Sequence, residues 1–184
     1  MILHQHKIVF AGTVGAGKSA AIKALSNINV LSTEAMNTDA ASHQKIFTTV
    51  GIDYGELVLE DGTKVGLYGT PGQERFDFIW SAISKGAVGT VILIDHSADH
   101  PIENLNFYLD YFKAVSDNII IGITHLDKRT QNTTAIYREW ESANKGKVYP
   151  LFFIDGRVKE DVLLLVEALI ANAEARLLRD RKSV

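Results

Sequence analysis

Gly12-Thr13-Val14-Gly15-Ala16-Gly17-Lys18-Ser19 is the stretch on which the fold of this chain turns. It reads as a glycine, four free positions, and then glycine, lysine and serine, the pattern of a phosphate-binding loop. That pattern carries weight only between a strand and a helix. Before it, Lys7-Ile8-Val9-Phe10-Ala11 is apolar at four of five positions, and after it Ala20-Ala21-Ile22-Lys23-Ala24-Leu25 consists of good helix formers.

The residue types follow from the task. The glycines let successive backbone N–H groups converge on phosphate oxygens, helped by the positive end of the following helix. Lys18 would bridge the β- and γ-phosphates as a point charge, and the Ser19 hydroxyl would ligate magnesium. Gly12, Val14, Gly15, Ala16, Gly17, Lys18, Ser19 and Ala20 are therefore the expected phosphate-side contacts.

Working outward, 184 residues that are 46% hydrophobic and 22% charged suit one globular domain over residues 1–184. With a net charge of −3, nothing in the bulk electrostatics points to nucleic acid. There is no cysteine, which excludes a disulfide frame, a thiolate metal site and a prenylated end. MILHQHKIVFAG runs straight into the first strand with no long apolar segment, so a soluble cytoplasmic protein without lipid anchor or membrane association is expected. His4 and His6 read as solvated side chains. The basic run from Arg176 to Lys182 suits a helix C-terminus, with a weak membrane-surface patch as the alternative.

Strands and helices alternate along the rest. Asn27 to Thr48 is polar and weakly periodic, the kind of long loop that is functional or mobile. Gly51–Leu59 and Thr63–Tyr68 read as strands joined at Glu60-Asp61-Gly62, an Asp-Gly hairpin signal. A helix is expected over Phe76–Lys85, then a buried strand over Val88–Ile94. Asp99 as cap and Pro101 would open the next helix, followed by a strand over Asn118–Thr124, a helix over Thr133–Asn144, a strand over Val148–Ile154 and a helix over Glu160–Leu178. The pattern predicts an α/β three-layer fold: a mostly parallel six-stranded sheet with one antiparallel edge strand and helices on both faces.

With these motifs in order, the chain resembles a Ras-like small GTPase of the P-loop NTPase superfamily, in its bacterial branch. Thr49-Val50-Gly51-Ile52-Asp53-Tyr54 resembles the first switch. Gly69-Thr70-Pro71-Gly72-Gln73-Glu74-Arg75-Phe76 resembles the second. Thr124-His125-Leu126-Asp127 stands where the guanine motif belongs, and Asp155-Gly156-Arg157 stands at the place of Ser-Ala-Lys.

Each match implies a role. Asp127 can accept two hydrogen bonds from guanine's ring N–H and exocyclic amine, which adenine lacks on that edge; the other reading is an ordinary turn aspartate. His125 replaces the usual lysine and could stack on the base or be a plain loop histidine. The Gly156 N–H would meet the guanine carbonyl, while Asp155 and Arg157 are base-side contacts or loop charges. Thr49, with Thr48 as competitor, would bind magnesium and the γ-phosphate, which the Gly72 N–H would also contact. Loss of that phosphate would release both switch loops, Ser32–Asp53 and Gly69–Lys85. Gln73 would orient the attacking water, making Gln73, Lys18 and Thr49 the expected catalytic set.

Two departures stand out. Gly69 occupies the position of the aspartate that holds magnesium through water; Asp53, across the hairpin, could reach the same waters or be an exposed strand residue. Val14 stands where Ras has glycine, and its branched side chain would crowd the water and Gln73. The first arginine is Arg75, so an inserted arginine is Arg75 or a partner's. The resemblance thus implies a switch that binds GTP or GDP with Mg2+, hydrolyses GTP slowly, and meets effectors, GAP-like activators and exchange-factor-like regulators through its switch loops. The alternatives are a non-hydrolysing pseudo-GTPase acting as a nucleotide-dependent binding module, and a kinase or ATPase sharing the loop.

Overall fold

The computed structural model describes residues 6–33, 51–128, 133–144, 146 and 148–181. Strands β1 (His6–Gly12), β2 (Leu31–Ser32), β3 (Asp53–Val58), β4 (Lys64–Gly69), β5 (Gly89–Asp95), β6 (Ile119–Thr124) and β7 (Leu151–Phe153) form one sheet in the order β2-β3-β4-β1-β5-β6-β7. The pairs β4–β1, β1–β5, β5–β6 and β6–β7 are parallel, whereas β3 is antiparallel to both β2 and β4.

The expected six strands are therefore seven, and β3 is not the edge. Leu31 and Ser32 pair with Tyr54 and Asp53 and take that place. Two residues are too few for alternation to mark them. The hairpin closes where Asp-Gly predicts: Leu59 N–H donates to Thr63 O, and Gly62 adopts φ +82°.

Alternation along the central strands divides the core. Ile8, Phe10, Val91 and Leu93 face α1 (Lys18–Leu25) and α5 (Lys159–Arg181), where Ile22, Leu25, Val162, Leu165 and Leu169 are buried. Val9, Ala11, Ile92 and Ile94 face α2 (Asp77–Ser84), α3 (Pro101–Phe112) and α4 (Ala135–Ala143), filled by Trp80, Leu105, Tyr108, Phe112, Tyr137 and Trp140. With both faces covered, the strands are nearly continuous apolar runs.

Helix boundaries differ from expectation where local chemistry intervenes. A 3-10 turn, Glu74–Phe76, precedes α2. His100, not Asp99, caps α3, with Pro101 in its first turn and no side-chain cap bond. α4 begins at Ala135, β7 shrinks to three residues, and α5 continues to Arg181.

The chain leaves β1 toward β3 and β4 on one side and returns to β5 on the other, so the sheet reverses direction beside β1. Ligands in open α/β sheets bind at such a reversal, beyond the carboxyl ends of the strands. The described motif loops, those after β1, β4, β6 and β7, lie at that end. Among the described residues, no helix is long and apolar enough to cross a membrane.

Candidate functional site

The loop after β1 depends on glycine where strand meets turn. Gly12 has φ +139°, and a Cβ there would lie 2.1 Å from Leu93 O, so no side chain fits. Gly17, at φ +98°, then opens α1. Lys18 folds back beneath the loop and donates from Nζ to Gly12 O at 2.8 Å and Thr13 O at 2.6 Å. It is buried, and burial pulls its pKa down to about 8, partly opposed by the charge of Asp53. A cation held there without a full counter-charge is suited to an anion.

Asp53 and Gly69 face each other across β3 and β4. Asp53 Oδ2 accepts a hydrogen bond from the Ser19 hydroxyl. A Cβ on Gly69 would lie 3.2 Å from Asp53 Cβ, 3.5 Å from Asp53 Oδ2 and 3.0 Å from Ile22 Cδ1. A side chain at 69 would therefore crowd Ile22 and the Asp53 Cβ. A hydroxyl and a carboxylate side by side are hard oxygen donors of the kind magnesium takes. Among the described residues no group of three or more carboxylate, histidine or cysteine side chains is placed to hold a metal ion.

After β4, the Thr70 N–H donates to Phe10 O and holds the chain against β1. Gly72 then rests on the phosphate loop: a Cβ there would lie 2.5 Å from Val14 N and 2.8 Å from Thr13 C. Val14 is exposed, as is the neighbouring Gln73. Thr49 and Thr48 lie outside the described residues. Thr33 and Ile52, flanking that segment, are bonded to each other, Thr33 N–H to Ile52 O at 3.0 Å and Ile52 N–H to Thr33 Oγ1 at 2.9 Å.

The loops after β6 and β7 meet the same phosphate loop from the other side. Thr124, buried, donates to Ala16 O at 2.9 Å. His125 is in the left-handed region at φ 61°, and its Nε2 lies 2.7 Å from Gly15 O. A carbonyl only accepts, so Nε2 carries the proton. The imidazole ties this loop to the phosphate loop, a role that its stacking or loop reading did not contain. Asp95, at the end of β5, was also missed: its Oδ2 lies 3.8 Å from His125 Nε2 and 3.9 Å from Lys128 Nζ. An acid closing an otherwise apolar strand was the available signal.

Asp127 is exposed, and its Oδ2 accepts from Arg157 Nη2 at 3.0 Å. Arg157 also grips Asp155 with two nitrogens, Nε to Oδ1 at 2.8 Å and Nη2 to Oδ2 at 2.6 Å. Those bonds hold the Asp155 carboxyl down at about 2. Arg157, read with Asp155 as a possible loop charge, thus bridges the Asp155 and Asp127 carboxylates. Gly156 is buried, and a Cβ on it would be 3.5 Å from Gly17 O. Together with Ala20, Thr124, His125 and Lys128, these residues enclose a cleft of about 110 Å³. A far larger groove of about 980 Å³ lies at the opposite end of the sheet, against Val65, Val88 and Ile170, and holds none of the motif residues.

A protein-family model described as "50S ribosome-binding GTPase" matches residues 7–125. The Ras-related protein Rab-13 of Rattus norvegicus is 28% identical over 126 residues, covering 67% of this chain and 55% of that protein. The Ras-related protein RABA5d of Arabidopsis thaliana is 33% identical over 117 residues, covering 62% and 48%. The Ras-related protein RAB1BV of Beta vulgaris is 29% identical over 117 residues, covering 61% and 49%. The chain spans about half the length of these curated relatives.

Proposed function

Because the chain belongs to the GTPase family whose model it matches over residues 7–125, we propose that it is a guanine-nucleotide switch that binds GTP and GDP and hydrolyses GTP slowly. The observation that carries this is the convergence of the loops after β4, β6 and β7 on the phosphate loop that follows β1. In this reading Lys18, Asp53 and Gly72 serve the phosphates, and Asp127 and Gly156, which line the small cleft, serve the base. The relatives named above are from animals and plants; the bacterial branch is proposed on the motif order alone.

In this reading the loop N–H groups and Lys18 take the phosphates, and Asp127 takes guanine. A carboxylate has about four lone-pair sites, so Asp127 can accept from the base while keeping Arg157. Thr49 and the Gly72 N–H sense the γ-phosphate, and Gln73 orients water. Magnesium, when bound, supplies charge neutralisation at the β- and γ-phosphates. Ser19 would hold it directly, with Thr49, and Asp53 through its waters in place of a residue at 69. Effectors and regulators would meet the two switch segments. The direct test is phosphate release from GTP against ATP with magnesium present: release confined to GTP supports the proposal, and equal release or none from either contradicts it.

Two outcomes follow from these contacts. Asp53→Ala should weaken magnesium binding in the GTP complex about 10- to 100-fold, the range for residues that hold a metal's own ligands. Magnesium titration of the nucleotide-bound protein measures it, and an unchanged curve would remove Asp53 from the site. Phosphates also need Lys18 protonated, and burial holds its pKa down to about 8. Binding a neighbouring anion raises that pKa, so GDP affinity should be level below pH 8 and fall by up to about tenfold per unit above it. The slope should vanish in Lys18→Ala.

A further inference from the structure

The segment that carries Gly72 lies between two surfaces. On one side is the phosphate loop, against which Gly72 packs at Thr13 and Val14. On the other is an aromatic cluster of α2 and α3. Trp80 is fully buried there, stacked on Tyr108 with ring centres 5.0 Å apart and on Phe112 at 5.7 Å, with Phe107 and Tyr111 edge-on.

This cluster does more than fill the core, because two of its rings end in donors aimed at consecutive carbonyls of the second switch. Trp80 Nε1–H donates to Pro71 O at 2.9 Å in a buried setting, and the Tyr108 hydroxyl donates to Gly72 O at 3.1 Å. The chain contains no cis peptide among its described residues. In a trans peptide the carbonyl and the following N–H point in opposite directions. Holding Pro71 O toward Trp80 therefore turns the Gly72 N–H away from the aromatic cluster. Holding Gly72 O toward Tyr108 does the same for the Gln73 N–H. The surface opposite the cluster is the phosphate loop.

We propose that Trp80 and Tyr108 are positioning residues for γ-phosphate sensing: they fix the orientation of two successive peptide groups so that the Gly72 and Gln73 N–H groups face the phosphate loop. The inference rests on the reading of Gly72 as a γ-phosphate contact. Two peptide groups held by these hydrogen bonds have less freedom to lose when the triphosphate binds. GDP, which lacks the third phosphate, gains nothing from it. Trp80 and Tyr108 therefore act on the difference between the two nucleotides rather than on affinity as such.

The test compares affinities of the full chain for GDP and for a non-hydrolysable GTP analogue, with magnesium saturating. Tyr108→Phe removes one hydroxyl and keeps the stack. It should lower analogue affinity about 2- to 10-fold, the worth of one hydrogen bond, and leave GDP affinity unchanged. Trp80→Phe should shift the ratio in the same direction. Phe107→Leu disturbs the same cluster but removes no donor, and should leave the ratio alone. A parallel loss of both nucleotides in Tyr108→Phe, or a ratio shift in Phe107→Leu equal to that in Tyr108→Phe, would mean general packing and overturn the proposal. Unchanged affinities in both Tyr108→Phe and Trp80→Phe would overturn it too, while leaving the switch reading intact. Failure of the wild-type chain to bind either nucleotide would overturn the parent reading, and this one with it.

Discussion

Asp127→Asn is expected to lose GTP by about a thousand-fold or more while binding xanthosine triphosphate better than the wild type does. A site built to pair with specific donors rejects a mismatched partner by about 10⁴ to 10⁵. The carboxylate offers only acceptors; the amide exchanges one of them for a donor, which matches the extra oxygen of xanthine. Arg157 determines which way the amide turns. It donates to Asp127 Oδ2, and in the variant that contact selects the amide oxygen, leaving the NH2 group to face the base. Competition between the two triphosphates measures the inversion. Equal losses for both would remove Asp127 from base recognition.

Val14→Gly should accelerate single-turnover GTP cleavage about 100-fold with GTP affinity nearly constant, since displacing a reacting water by about 1 Å can cost that much. Val14 is 68% exposed, so truncating it removes no core packing. Its backbone touches Gly72, which precedes Gln73, so its side chain stands beside the segment that must position water. Trp80 emission offers a second signal, because its indole holds Pro71 O. Any emission change that accompanies cleavage should speed up with it. A flat cleavage rate would mean that the site lacks more than space, and would favour a structural nucleotide holder.

The fold was legible because its central strands bury both faces. Ile8 to Ala11, Val91 to Ile94 and Ile119 to Ile123 are apolar runs that no surface element could carry. The phosphate loop was legible because Gly12 has no substitute beside Leu93 O. What stayed hidden was tertiary. Leu31 and Ser32 are a strand only because Tyr54 and Asp53 lie opposite them. The Asp53 carboxylate could be assigned to either face until its hydrogen bond with the Ser19 hydroxyl showed which one it takes. His125 and Arg157 could be recognised as polar loop residues, but their partners Gly15, Asp127 and Asp155 depend on how three loops meet. The polar ends of Trp80 and Tyr108, which reach Pro71 O and Gly72 O, follow no local spacing.

The central claim is that this loop convergence forms a guanine-specific nucleotide site. Displacement of a fluorescent GDP derivative by unlabelled GDP, GTP, ADP and ATP, in magnesium, tests it most directly. The account predicts that GDP and GTP displace the probe and that the adenine nucleotides fail even at about a thousand-fold higher concentration. Displacement by ATP at the same concentrations as GTP would contradict it.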